Sequence, residues 1–111
     1  MDEMTTREQA DQVLDGGAAL LFKHNTTCPI SANAHREMDA FLAEGAGMPV
    51  YRVDIHAARD VSGYIAERTG VEHQSPQVIV VRGGKAAWSA ALFDITADAL
   101  REHVGSAGAT G

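Results

Sequence analysis

Residues 18–24, after Gly16-Gly17, read as a buried strand that opens on the apolar run Ala18-Ala19-Leu20-Leu21-Phe22, without alternation, and ends on Lys23-His24. A strand apolar at every position must be covered on both faces, and that demands a sheet with helices on either side. Directly after it stand Asn25-Thr26-Thr27, then Cys28 and Pro29. Apolar Ile30, Ala34, Met38, Phe41 and Leu42 follow at helical spacing, and Gly45 closes the pattern. Proline suits the first helical position, where no N–H is needed. The unit reads as strand, turn and helix, with the only cysteine of the chain at the turn.

The remaining elements can be placed around this unit. Thr5 and Glu8 have the spacing of a capping box, and apolar Ala10, Val13 and Leu14 follow before Gly16-Gly17. Residues 50–55 predict a second strand. Residues 58–69 predict a helix with Val61, Tyr64 and Ile65 on one face and Gly70 as its stop. Residues 77–82 and 85–91 flank Gly83-Gly84, whose tolerance of positive φ suits a tight hairpin. Thr96 caps a last helix through Val104, with Ile95, Leu100 and Val104 as its apolar face. The order α-β-α-β-α-β-β-α makes the first two strands parallel by a right-handed crossover, and the last two antiparallel. The expected fold is α/β, a four-stranded mixed sheet flanked by helices on both faces, which is the thioredoxin-like arrangement. It occupies 1–104 as a single domain, with 105–111 as a disordered tail of Gly, Ala, Ser and Thr only.

Composition excludes several classes of function. At 111 residues there is room for one core. The net charge of -6, with dispersed basic residues, argues against nucleic acid, which needs a basic patch. No apolar run approaches the roughly 20 residues that span a bilayer, so no membrane association is expected. The acidic start Met1-Asp2-Glu3-Met4 lacks the features of a signal peptide. A lone cysteine in such a chain points to the reducing cytoplasm.

A thiol at a strand-to-helix turn faces the unpaired N–H groups of the helix and the positive end of its dipole. Both favour the thiolate, which is the nucleophile. Free cysteines are often small buried hydrophobes, but Cys28 stands among polar Asn25, Thr26 and Thr27, outside the apolar stripe. With one sulfhydryl the chain forms no internal disulfide, so thiol chemistry needs a sulfur from outside. Ser31 occupies the place of the second cysteine in a C-x-x-C motif. Its hydroxyl can stabilise the thiolate or simply sit in the first turn, and it cannot resolve a mixed disulfide. His24 is a candidate for electrostatic support of the thiolate. His35, His56, His73 and His103 are expected to be solvated, and with no metal-ligand spacing among the histidines no metal site is expected. Ser75-Pro76 precedes the strand at 77–82, where proline can be mere punctuation. In thioredoxin-like folds a cis proline at this point packs beside the cysteine, and the backbone of the residue before it pairs with an incoming disulfide. A peroxiredoxin would have threonine where this chain has Asn25. A C-x5-R phosphatase or arsenate-reductase loop would need arginine at Ala34.

The segment from Phe22 to Ala34, with Thr27-Cys28-Pro29-Ile30-Ser31 at its centre, closely resembles the signature of the YtxJ-like monothiol bacilliredoxins. So do Glu72-His73-Gln74-Ser75-Pro76-Gln77-Val78, the hairpin with Gly84-Lys85 and Trp88, and Phe93-Asp94-Ile95-Thr96. The resemblance implies a thioredoxin-like fold and a monothiol thiol-disulfide oxidoreductase. Such a protein removes bacillithiol from S-bacillithiolated client proteins, with Cys28 as nucleophile and bacillithiol as co-substrate rather than a tightly bound cofactor. Thr27, Pro29, Ser75, Pro76, Phe93 and Asp94 are expected to line the pocket. One alternative is an iron–sulfur or protein-binding module resembling monothiol glutaredoxins, which carry Cys-Gly-Phe-Ser where this chain has Pro29 and Ile30. Another is a non-enzymatic module in which Cys28 is inert.

Overall fold

The computed structural model describes residues 1–105. In chain order it forms β1 (Asp2–Glu3), α1 (Arg7–Leu14), β2 (Ala19–His24), α2 (Pro29–Leu42), β3 (Val50–Asp54), α3 (Arg59–Thr69), β4 (Gln77–Arg82) and β5 (Lys85–Ala91). A 3-10 turn at Leu92–Asp94, the short helix α4 (Ala97–Leu100) and a π turn at Arg101–Gly105 complete it. Of the tail expected from 105 onward, Gly105 closes the π turn and 106–111 lie outside the described residues. No helix among the described residues is long and apolar enough to cross a membrane.

The sheet runs β1-β3-β2-β4-β5 and is mixed. Strands β2 and β3 are parallel, whereas β4 is antiparallel to both β2 and β5. It has five strands rather than the four expected from sequence. The extra strand, β1, lies parallel on the outer edge of β3. Two residues carry no readable alternation, and the strand is held by contacts distant in sequence. Met4 is fully buried and its N–H donates to Arg52 O at 2.9 Å, while Glu3 forms an ion pair with Arg52. The first helix also starts one residue later than the Thr5/Glu8 spacing predicts. Thr6 is the N-cap, its hydroxyl accepting from Gln9 N–H, and the Gln9 side chain reaches back to the Thr6 backbone. The last helix is capped by Thr96 as expected, but it is α-helical only to Leu100 and then widens.

Strand β2 is buried along its whole length, as an unbroken apolar run requires. Its side chains alternate between two cores. Leu20 and Phe22 pack with Ala34, Met38, Phe41, Val78, Val80, Ile95 and Leu100, on the side of α2 and α4. Ala19 and Leu21 pack with Leu14, Val53, Val61, Ile65, Ile79 and Val81, on the side of α1 and α3. Full burial of such side chains stabilises the fold by about 1.5–3 kcal/mol each. The strand delivers Cys28 to the C-terminal end of the central sheet. The same alternation sends Lys23 toward α3 and His24 toward α2.

Candidate active site

Cys28 is the N-cap of α2, with φ −105° and ψ 125°. It is partly exposed, and its side chain makes no cap hydrogen bond. Pro29 occupies the first turn, so the ring of free N–H donors there begins beyond it. The loop leading to the thiol is tied down locally. Asn25 Oδ1 accepts from the Thr27 N–H at 3.0 Å and from its hydroxyl at 2.8 Å, an Asx turn. The Cys28 N–H donates to Asn25 O at 3.2 Å, and Cys28 O accepts the first helical bond from Ala32 at 3.1 Å. Ser31 is fully buried, and its Oγ accepts from the Asn25 N–H at 3.2 Å. This hydroxyl closes the loop over the start of α2, a duty the sequence does not reveal.

His24 lies on the α2 side, 8% exposed. Its ring meets Phe22 at 5.4 Å and His35 at 5.2 Å between centroids, and its Nδ1 is buried without a hydrogen-bond partner. Burial first, then the charges of His35 and Arg52, lower its pKa from 6.5. The ring is therefore held neutral at neutral pH. The cationic support for the thiolate anticipated from sequence needs the charged form, which these surroundings disfavour.

Lys23 is the residue that sequence reading missed. It is fully buried, and its Nζ donates to Ser62 O at 3.0 Å and to His73 Nδ1 at 3.3 Å. Burial lowers its pKa from 10.5 to about 8. The signal was present: on a strand covered from both sides, the residue two after Leu21 shares its inward face. Of the histidines expected to be solvated, His56, His73 and His103 are exposed and His35 is half-buried, and each also meets a partner. His35 bonds Asp39 and Arg52, His56 bonds Asn25, His73 bonds Lys23 and Ser62, and His103 stacks on Trp88 at 4.5 Å.

The Ser75–Pro76 bond is cis. The register pairs Lys23 with Gln77, so Pro76 stands at the end of the sheet from which the Cys28 loop departs. Pro76 O accepts from the Leu92 N–H at 3.0 Å, which joins the turn at 92–94 to the same rim. Phe93 is 67% exposed there and Asp94 is also exposed. Ser75 Oγ and Gln77 Oε1 are buried without a hydrogen-bond partner. Buried polar atoms left unpaired are uncommon in folded proteins. Thr27 and Pro29 are exposed on the other side of the cysteine. The arrangement presents one accessible sulfur at a helix N-terminus, between a polar loop and a rim that carries the cis proline.

The family model for monothiol bacilliredoxin BrxC matches residues 2–100. The chain belongs to the monothiol bacilliredoxin family. Among solved structures, a thioredoxin-fold protein described as a candidate oxidoreductase superposes with a TM-score of 0.83 at 34% identity. That match covers 92% of this chain and 91% of the other. Thioredoxin from Malassezia sympodialis matches with a TM-score of 0.75 at 17% identity, covering 97% and 90% of the two chains. Mitochondrial thioredoxin 3 from Saccharomyces cerevisiae, in its oxidised form, gives 0.75 at 11%, covering 96% and 94%. The last two show the fold alone. This bacilliredoxin is a thiol oxidoreductase of thioredoxin fold, and Cys28 is the one sulfhydryl with which it can act.

Proposed function

We propose that the protein removes bacillithiol from S-bacillithiolated client proteins through a mixed disulfide on Cys28. One observation carries this reading. The sole cysteine caps α2 in a partly exposed position at the end of the central strand, so exchange with an external disulfide is the redox step open to it. Cys28 thiolate attacks the bacillithiol sulfur of the client disulfide, and the client thiolate leaves and takes a proton from solvent. Cys28 then carries bacillithiol. A second bacillithiol thiolate attacks that sulfur, forms bacillithiol disulfide and returns Cys28 to the thiolate. Electrons balance across the cycle, since one free bacillithiol thiol is consumed, one client thiol is released, and the client mixed disulfide is exchanged for bacillithiol disulfide with no net oxidation. Ser75 with Pro76 is the docking rim in this reading, Thr27 and Pro29 flank the sulfur, and Phe93 and Asp94 meet the client. Ser31 and His24 shape the loop and the strand end from beneath.

The deciding assay follows release of bacillithiol from a modified client in a single turnover, with intact mass read on Cys28. Wild-type protein should gain one bacillithiol and lose it when free bacillithiol is added. Cys28→Ser should lose all transfer, and Ser31→Ala should retain much of it while costing about 1 kcal/mol of stability through the unpaired Asn25 N–H. Transfer by Cys28→Ser, or a wild-type adduct that never forms on Cys28, would overturn the mechanism.

A further inference from the structure

A cleft of about 390 Å³ opens beside the Cys28 loop, lined by Ile55, His56, Arg59, Ser62, Gly63 and His73. Three of these six residues, His56, Arg59 and His73, carry basic side chains, and none carries a carboxylate. The cleft touches both halves of the site. His56 Nε2 bonds Asn25 Oδ1 at 3.0 Å, the same oxygen that holds Thr27 next to Cys28. His73 stands two residues before Ser75 on the segment that carries the cis proline. Arg59 is exposed and makes no ion pair among the described residues.

The buried cluster behind the cleft gives His73 a defined polarity. An ammonium can only donate, so the 3.3 Å bond from Lys23 Nζ makes His73 Nδ1 an acceptor. Ser62 Oγ lies 3.2 Å from the same nitrogen and shares that polar contact. The ring proton then resides on Nε2, the far nitrogen, as a donor turned away from Lys23. Desolvation, with Lys23 next, lowers the His73 pKa and favours this neutral tautomer. A guanidinium and an N–H donor in a cleft without acids form a receptor for an anion.

We propose that this cleft receives a carboxylate of the low-molecular-weight thiol whose sulfur exchanges at Cys28, with Arg59 as its ion-pair partner and His73 Nε2–H as its hydrogen-bond donor. The inference rests on the thiol-exchange reading above and adds the subsite that selects the thiol. Bacillithiol carries carboxylates on its malyl end, away from its sulfur, and so has the two chemistries that the cleft and the cysteine separately require. The step is a simple exchange: Cys28 thiolate bonds one sulfur of a symmetrical disulfide, the S–S bond breaks, and the other half leaves as a thiolate.

The test compares two disulfide probes, bacillithiol disulfide with carboxylates and cystamine with amines only. Rates of Cys28 adduct formation are read by intact mass for wild type, Arg59→Gln, Arg59→Glu and the distant control Arg101→Gln, with thermal melting to confirm folding. Arg59→Gln should lower the bacillithiol-to-cystamine rate ratio about tenfold, as loss of a charge-assisted contact implies. Arg59→Glu should lower it further, and Arg101→Gln should leave it unchanged. Arg59 variants whose ratio equals that of wild type would overturn the anion subsite while leaving the exchange reading intact. A wild-type protein that forms an adduct with neither probe would overturn the exchange reading, and the subsite with it.

Discussion

Lys23 places an ammonium where Leu21, two positions earlier on the same face of β2, places hydrocarbon. Its folded pKa of about 8 lies below the ordinary 10.5, so between those values the unfolded chain binds more protons. Stability therefore rises with pH across that window, and the cost of burying the charge is fully present below it. In urea titrations, wild type should gain about 3 kcal/mol relative to Lys23→Met between neutral pH and the upper end of the window. A difference between the two proteins that stays flat with pH would exclude a buried, titrating Lys23. Cys28 and Pro29 were legible as single residues because their position at a strand-to-helix turn restricts what they can do. The pairings of Ser31 with Asn25 and of Lys23 with His73 were not legible. The first closes a loop, and the second spans 50 residues, with partner identity set by the packing of β2 against α3.

Elements were read well where a local rule governs them. The hairpin followed from Gly83-Gly84, which adopt φ of 61° and 78°, and α3 ends at Gly70 in the left-handed conformation. Gly84 has a further constraint, since a Cβ there would lie 3.3 Å from Leu14 O at the end of α1. Gly84→Ala should therefore cost about 1–3 kcal/mol from backbone strain and crowding. Gly17→Ala, where a Cβ meets nothing within 4 Å, should be near neutral. Equal melting temperatures for the two variants would show that the turn is not constrained. The irregular step between Val80 and Val81, which face Trp88 and Ala86, left no mark in the pattern. A bulge inserts one residue without changing which types are apolar.

For the whole molecule, the five strands make an asymmetric sheet with β2 at its centre and the short β1 at one edge. Met4, fully buried, anchors that edge in the core shared by α1 and α3. Deletion of residues 1–4 should cost about 3 kcal/mol, the scale of removing a buried Met side chain. The rate of mixed-disulfide formation on Cys28 should be unchanged, because two strands separate β1 from β4 and the cis proline rim. A truncated protein that folds with wild-type stability, or that folds but exchanges more slowly, would contradict this division of the sheet.

By itself the sequence determined the sandwich of helices around a central strand, the parallel and antiparallel order of its main strands, and the place of the lone thiol. Each of these follows from period, turn chemistry or chain direction, all of which act over a few residues. Only the tertiary structure decided that Asp2–Glu3 joins the sheet, that His24 is neutral against Phe22 and His35, and that Lys23 sits behind His73. Those outcomes depend on which side chains from distant segments desolvate one another, and desolvation is a property of the packed assembly rather than of any local stretch of chain.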